Sequence, residues 1–174
     1  MALADMNIAV VGAGIGGVAV AVALAQRGSR VTVFEQAPQL TEVGAGLQIS
    51  ANGMAVLRAL GIVGDVPPLA VRSAGTQLCD FRQGRRILKV VPPKSGATWY
   101  FHRADLLDLL VNSAKQAGVS FVLDCPVEDV APDTGRVQAK GRSDSFNLVI
   151  AADGGHSRSR RSLNPGGEAA FTGQ

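Results

Sequence analysis

A glycine run set between two apolar stretches constrains the fold of this chain more than any other feature. Gly12-Ala13-Gly14-Ile15-Gly16-Gly17 satisfies GxGxxG with glycines at 12, 14 and 17. The almost wholly apolar run Asn7 to Val11 before it has the pattern of a strand covered on both faces of a parallel sheet. From Gly16 to Arg27 the small and branched residues Val18, Val20, Ala21, Val22, Ala23 and Leu24 predict a close-packed helix, with Gly28 as its stop. Val31 to Phe34 then reads as a second buried strand ending on Glu35.

Each part of this strand-helix-strand unit has a physical reason to meet a dinucleotide. Gly12 permits the tight turn, Gly14 lets the backbone approach a pyrophosphate, and Gly17 allows the helix to pack closely on the strand. The helix N-terminus offers free N–H groups and positive potential to phosphates. Glu35, 21 residues after Gly14, stands where a carboxylate can accept hydrogen bonds from ribose hydroxyls and would repel a 2'-phosphate. The unit is therefore expected to bind the ADP half of FAD or NAD and to disfavour NADP at this position. An NAD-dependent dehydrogenase fits these residues as well as a flavoprotein does.

Composition narrows the other classes. With 174 residues and 47% hydrophobic content, the chain can bury one sizeable core. The net charge is +3, and the cluster Arg158, Arg160 and Arg161 is short and lacks interleaved aromatics, so no nucleic-acid partner is expected. Cys79 and Cys125 sit in no metal-ligand or disulfide spacing, and His102 and His156 have no ligand partner in sequence; no metal is expected. The apolar stretch Ile8 to Ala25 is interrupted by glycines and lacks a preceding cationic segment, so the expectation is no membrane span and a cytoplasmic protein.

Beyond the first unit, alternation gives way to antiparallel signals. A helix is predicted over about 52 to 60, a hairpin of Thr76 to Phe81 and Arg86 to Val91 around Gly84, and a helix from Asp105 to Ala117 with Gly118 past its end. Strands are predicted at Ser120 to Leu123, Val127 to Val130 and Arg136 to Ala139, followed by a buried-looking run, Phe146 to Ala151, stopping at Asp153-Gly154. Residues 164–174 read as a loose, glycine-rich tail.

Three further pieces tip the balance from nicotinamide toward flavin: Gly44-Ala45-Gly46-Leu47-Gln48-Ile49, His102-Arg103-Ala104-Asp105-Leu106-Leu107, and Asp153-Gly154-Gly155-His156-Ser157-Arg158-Ser159-Arg160. In this order, with the glycine turn and Glu35, they resemble the flavin-dependent aromatic hydroxylases of the p-hydroxybenzoate and salicylate hydroxylase type. The last matches that family's DGxxSxxR at Asp153, Gly154, Ser157 and Arg160. The resemblance implies an α/β, Rossmann-like FAD-binding domain of the glutathione-reductase/p-hydroxybenzoate-hydroxylase type with antiparallel strand insertions. It implies FAD held by Gly12, Gly14, Gly17 and Glu35, with Gly46 near the cofactor, Arg103 reaching its phosphate or ribityl region, Val127 near the adenine, and Asp153 and Arg160 at the pyrophosphate.

Also implied are NADH or NADPH as transient electron donor and a small aromatic acid, hydroxylated with oxygen, as substrate. The family's second flavin signature, a GD motif, has no counterpart here, so the chain is expected to be a truncated form: an incomplete FAD-binding domain over 1–163, with the 164–174 tail leading toward a missing substrate domain. Catalytic residues and oligomeric state are not readable. A non-catalytic nucleotide-binding fragment and an NAD-dependent dehydrogenase stand as the alternatives.

Overall fold

The computed structural model describes residues 2–41, 44, 46–62, 69–91, 97–164 and 172–173. These fall into two compact units, one formed by residues 1–41 with 110–174 and the other by residues 42–109. Most of the expected tail, residues 165–171 and 174, lies outside the described residues, as does Ala45.

The first unit is built on a four-stranded parallel sheet. Strands β1 (Asn7–Val11) and β2 (Arg30–Phe34) pair in register from Asn7 with Arg30 to Val11 with Phe34, joined by helix α1 (Ile15–Ala25). With β8 (Ser120–Val122) and β12 (Leu148–Ala151) the order is β12-β1-β2-β8. The glycine turn thus leaves the central strand β1 between β2 and β12, where the sheet reverses its direction of growth. Crevices at the carboxyl ends of such strands are where open α/β sheets take ligands.

From Ile8 to Val11 β1 is wholly apolar because both its faces are covered. Ala9 and Val11 join Phe34 in a buried cluster with Val127, Val130, Val137 and Ala139 of an antiparallel sheet. That sheet has the order β11-β10-β9, from β9 (Val127–Ala131), β10 (Arg136–Ala139) and β11 (Arg142–Ser145). Strand alternation sends Ile8 and Val10, both fully buried, to the opposite face, and α1 packs against β1 and β2 with Gly17, Val18, Ala21 and Val22 buried. Gly17 is fixed by this packing, since a Cβ there would lie 2.0 Å from Gly12 O. Gly12 has φ +101°, and its Cβ would lie 2.5 Å from Ala152 O.

The second unit holds a three-stranded antiparallel sheet, β3-β7-β4, from β3 (Gly46–Ile49), β4 (Ala70–Arg72) and β7 (Trp99–His102), with helix α2 (Ala51–Ala59) after β3. The expected hairpin is present as β5 (Thr76–Cys79) and β6 (Arg86–Val90), with Gly84 at φ +65° in its turn. Asp80 orders that turn by accepting hydrogen bonds from the N–H groups of Arg82, Gln83 and Arg85. Helix α3 (Arg103–Gln116) begins in this unit and ends in the first, two residues earlier at its start than the periodicity predicts.

Two expectations change in detail. The run Phe146 to Ala151 is a strand only from Leu148, because Phe146 N–H donates to Gly135 O and its ring meets Phe34 edge-on at 5.8 Å. Asn147 then starts β12 through a reciprocal pair with Asn7, N–H to carbonyl O at 2.8 Å and Oδ1 from N–H at 2.7 Å. β12 is also less buried than its composition suggests, with Leu148 and Ala151 exposed. Among the described residues it is an outer strand.

Candidate functional site

The chain's backbone geometry brings Glu35 back over the glycine turn. Gly12 N–H donates to Phe34 O at 2.8 Å, which carries the β1–β2 ladder one step into the turn. Glu35 N–H donates to Val122 O and its carbonyl accepts from Cys125 N–H, so the residue is held on both sides by backbone. Its carboxylate accepts hydrogen bonds from Ala13 N–H at 2.7 Å and Ala37 N–H at 2.9 Å. One bond per oxygen leaves acceptor capacity on both for a ligand hydroxyl.

Helix α1 starts from Gly14, at φ −68° and ψ 174°, with no side chain capping it and no acidic residue in its first turn. Its first N–H groups therefore keep their positive potential for an external anion. A Cβ built on Gly14 meets nothing within 4 Å, in contrast to Gly12 and Gly17. Nothing in the fold requires glycine at 14, so the space beside it is free for a ligand atom.

The segment Asp153–Arg160 closes the other wall. Asp153 Oδ1 accepts from Ser157 Oγ at 2.6 Å and Oδ2 from Ser159 N–H at 3.1 Å. Ser157 Oγ in turn caps the short helix α4 (Arg158–Leu163), accepting from Arg160 N–H at 2.9 Å. Partial burial works against the charge on Asp153, but the bonds from Ser157 and Ser159 outweigh it and hold the carboxyl below its ordinary value. A depressed carboxyl stabilises the fold above its unfolded-state value, about 3.9, and that contribution is lost as pH falls through the lower folded value. Wild type should accordingly be more stable than Asp153→Asn near neutral pH, and the two urea midpoints should converge on acidification below pH 4. A gap that stays constant with pH would reject an ionised Asp153 as the organiser of this loop.

These pieces enclose a cavity of about 390 Å3, lined by Val11, Gly12, Gly14, Phe34, Glu35, Gln36, Cys125, Val127, Ala152, Asp153, Gly154, His156 and Arg158. Its volume falls in the range of small-molecule clefts, and its walls divide by chemistry. Val11, Phe34, Cys125 and Val127 are apolar, Glu35 and Gln36 are polar, and the glycine turn with Asp153-Gly154 presents backbone. This donor set fits the ADP portion of a dinucleotide: uncapped helix N–H groups for phosphate, a carboxylate for ribose hydroxyls and an apolar wall for a base.

Of the residues marked in the sequence, Gly12, Gly14, Glu35, Val127 and Asp153 line this one cavity, with Gly17 packed beneath the turn. Val127 is at once a core residue, 9% exposed, and part of the lining. Arg160 is outside the lining; its guanidinium donates to Gly155 O at 3.0 Å and holds the loop in shape. Gly46 and Arg103 belong to the second unit, where Gly46 pairs with His102 across β3 and β7. Arg103 opens α3 with its stem beside Gly44, whose Cβ would lie 3.6 Å from Arg103 Cδ. Sequence reasoning did not mark Gln36, Cys125, His156 or Arg158 as lining. Cys125 and Gln36 were findable as neighbours of marked residues, whereas His156 and Arg158 face the cavity only because Ser157 and Asp153 fold the loop back.

The sequence profile of the family described as "FAD binding domain" matches residues 5–171. A 3-amino-4-hydroxybenzoate 2-monooxygenase of Streptomyces cremeus is 37% identical over 166 residues, covering 91% of this chain and 42% of that protein. A 3-hydroxybenzoate 6-hydroxylase of Klebsiella oxytoca is 29% identical, with 91% and 42% covered. The solved tetrameric form of 2-methyl-3-hydroxypyridine-5-carboxylic acid oxygenase superposes with a TM-score of 0.85 at 27% identity, over 92% of this chain and 42% of that one. The chain thus spans about two fifths of the length of these relatives. Among the described residues no helix is long and apolar enough to cross a membrane, and no group of three or more His, Cys, Asp or Glu is placed to hold a metal.

Proposed function

Since the chain belongs to the FAD binding domain family, we propose that it is the ADP-binding portion of a flavoprotein monooxygenase that hydroxylates a small aromatic acid, with NADH or NADPH as electron donor. The observation that carries the reading is the convergence of Gly14's open space, the uncapped start of α1 and the Glu35 carboxylate on one cavity. In this reading residues 1–163 form an incomplete FAD-binding domain and the substrate-covering part lies elsewhere in the parent protein. Bound FAD supplies the redox and oxygen chemistry. This chain's residues hold it: the glycine turn and α1 take the pyrophosphate, Glu35 the adenosine ribose, and the Val127 side of the cavity the adenine. Asp153 and Arg160 shape the loop beside the pyrophosphate, while Arg103 and Gly46 serve the flavin-proximal half. The aromatic-acid substrate is supported by the relatives that act on hydroxybenzoates by name. Two free thiols, Cys79 exposed and Cys125 buried, suit a reducing, cytoplasmic setting.

Glu35→Ala tests the ribose assignment. It should weaken FAD and AMP binding by roughly 1 to 3 kcal/mol, the range for losing hydrogen bonds to a charged group. Because Glu35 also holds the turn through Ala13 and Ala37, the informative comparison is AMP with its 2',3'-dideoxy analogue. Wild type should prefer AMP, and the variant should bind both alike. A preference retained in Glu35→Ala would reject ribose recognition and leave Glu35 as a turn-holding residue.

A further inference from the structure

The cavity at the glycine turn carries a charge problem. Two carboxylates, Glu35 and Asp153, lie on its lining, and the ADP portion of a dinucleotide would bring negatively charged phosphates beside them. The start of α1 offsets only about half an elementary charge. Of the described residues lining the cavity, Arg158 alone carries a fixed positive charge.

Local structure decides that this arginine takes the position and its neighbour does not. Ser157 Oγ, bonded to Asp153 Oδ1 and accepting from Arg160 N–H, fixes where α4 begins, and Arg158 is the first residue of that helix. Arg160 comes two residues later, and at about 100° per residue it leaves the helix on roughly the opposite side. Its guanidinium donates to Gly155 O at 3.0 Å, and it is not part of the cavity's lining. The Arg158 side chain is exposed and has no hydrogen bond or ion pair among the described residues.

We propose that Arg158 is the cation that meets the pyrophosphate of the bound nucleotide and makes this cavity prefer a diphosphate to a monophosphate, whereas Arg160, the arginine of DGxxSxxR, holds the loop in shape. The planar fork of a guanidinium can take two phosphate oxygens at once. Arg158 gives up no partner within the described protein to do so, while Arg160 would have to release Gly155 O. The proposal rests on the reading of the cavity as an ADP site and adds to it the side chain that carries the charge.

Calorimetric titration with adenosine, AMP and ADP, in magnesium-free buffer and without flavin, tests the proposal on wild type, Arg158→Gln, Arg158→Lys and Arg160→Gln. Wild type should bind ADP about tenfold or more tighter than AMP, the effect of a charge-assisted contact to the second phosphate. Arg158→Gln should keep the wild-type thermal midpoint and adenosine affinity but bind ADP and AMP alike. Arg158→Lys, which restores the charge without the fork, should recover part of the preference. Arg160→Gln should lower the thermal midpoint and, below it, retain the preference for ADP. An ADP preference that survives in Arg158→Gln, one that is lost in folded Arg160→Gln, or one that wild type lacks while binding adenosine would each overturn the proposal and leave the cofactor reading standing. Failure of wild type to bind any of the three ligands would overturn the cofactor reading and this proposal with it, so adenosine affinity tells the two failures apart.

Discussion

Replacing Gly14 by valine should leave a folded protein that has lost FAD, with affinity reduced by about 100-fold or more, equivalent to about 2.7 kcal/mol. The backbone at Gly14, φ −68° and ψ 174°, is extended and open to any L-residue, and no protein atom lies within 4 Å of the added Cβ. The fold loses only the modest preference of a helix N-cap for glycine over valine, about 1 kcal/mol. The ligand loses more, because branched bulk would occupy the approach of phosphate oxygens to the first N–H groups of α1. Gly17→Ala is the matched control: its methyl would sit 2.0 Å from Gly12 O, so it should destabilise the fold itself. Circular dichroism and FAD titration on both variants separate the two roles. A folded Gly14→Val protein with normal FAD affinity would place the pyrophosphate elsewhere.

The same contrast explains what the sequence made legible. Periodicity and glycine placement were enough for β1, α1 and β2, since apolar residues covered on both faces and a sterically compelled turn leave few alternatives; the three elements appear within two residues of their expected bounds. Elements whose formation depends on a partner strand rather than on an apolar pattern of their own were not legible. β11, Arg-Ser-Asp-Ser, has no apolar pattern and exists as the partner of β10 across the Lys140-Gly141 turn, both residues at positive φ. β3, β4 and β7 are three or four residues long and gain order from one another. In the site, GxGxxG with Glu35 named one wall and Asp153-Gly154 the other, but the carboxylate's grip on Ala13 N–H was not readable. Spacing along a chain says which residue can approach a turn, not which atom it will hold.

The 174-residue chain, supplied with FAD, NADH or NADPH, oxygen and a panel of hydroxybenzoates and hydroxypyridine acids, should yield no hydroxylated product above the enzyme-free control. Hydroxylation by a reduced flavin and oxygen depends on keeping water from the reacting centre and on fixing the aromatic ring against it. The cavity formed by the glycine turn, Glu35 and the Asp153 loop has the chemistry to hold the ADP end, and the chain corresponds to 42% of relatives that are named as hydroxylases or monooxygenases. Groups that cover the ring and the substrate would then have to come from the remaining length. Without them, the two electrons taken from the nicotinamide should pass to oxygen as hydrogen peroxide. The expected result is nicotinamide consumption, where it occurs, matched mole for mole by peroxide, with mass spectrometry showing unchanged aromatic acids. Hydroxylated product stoichiometric with nicotinamide consumed would overturn this division of labour and require a substrate pocket formed by these residues themselves or between copies of the chain.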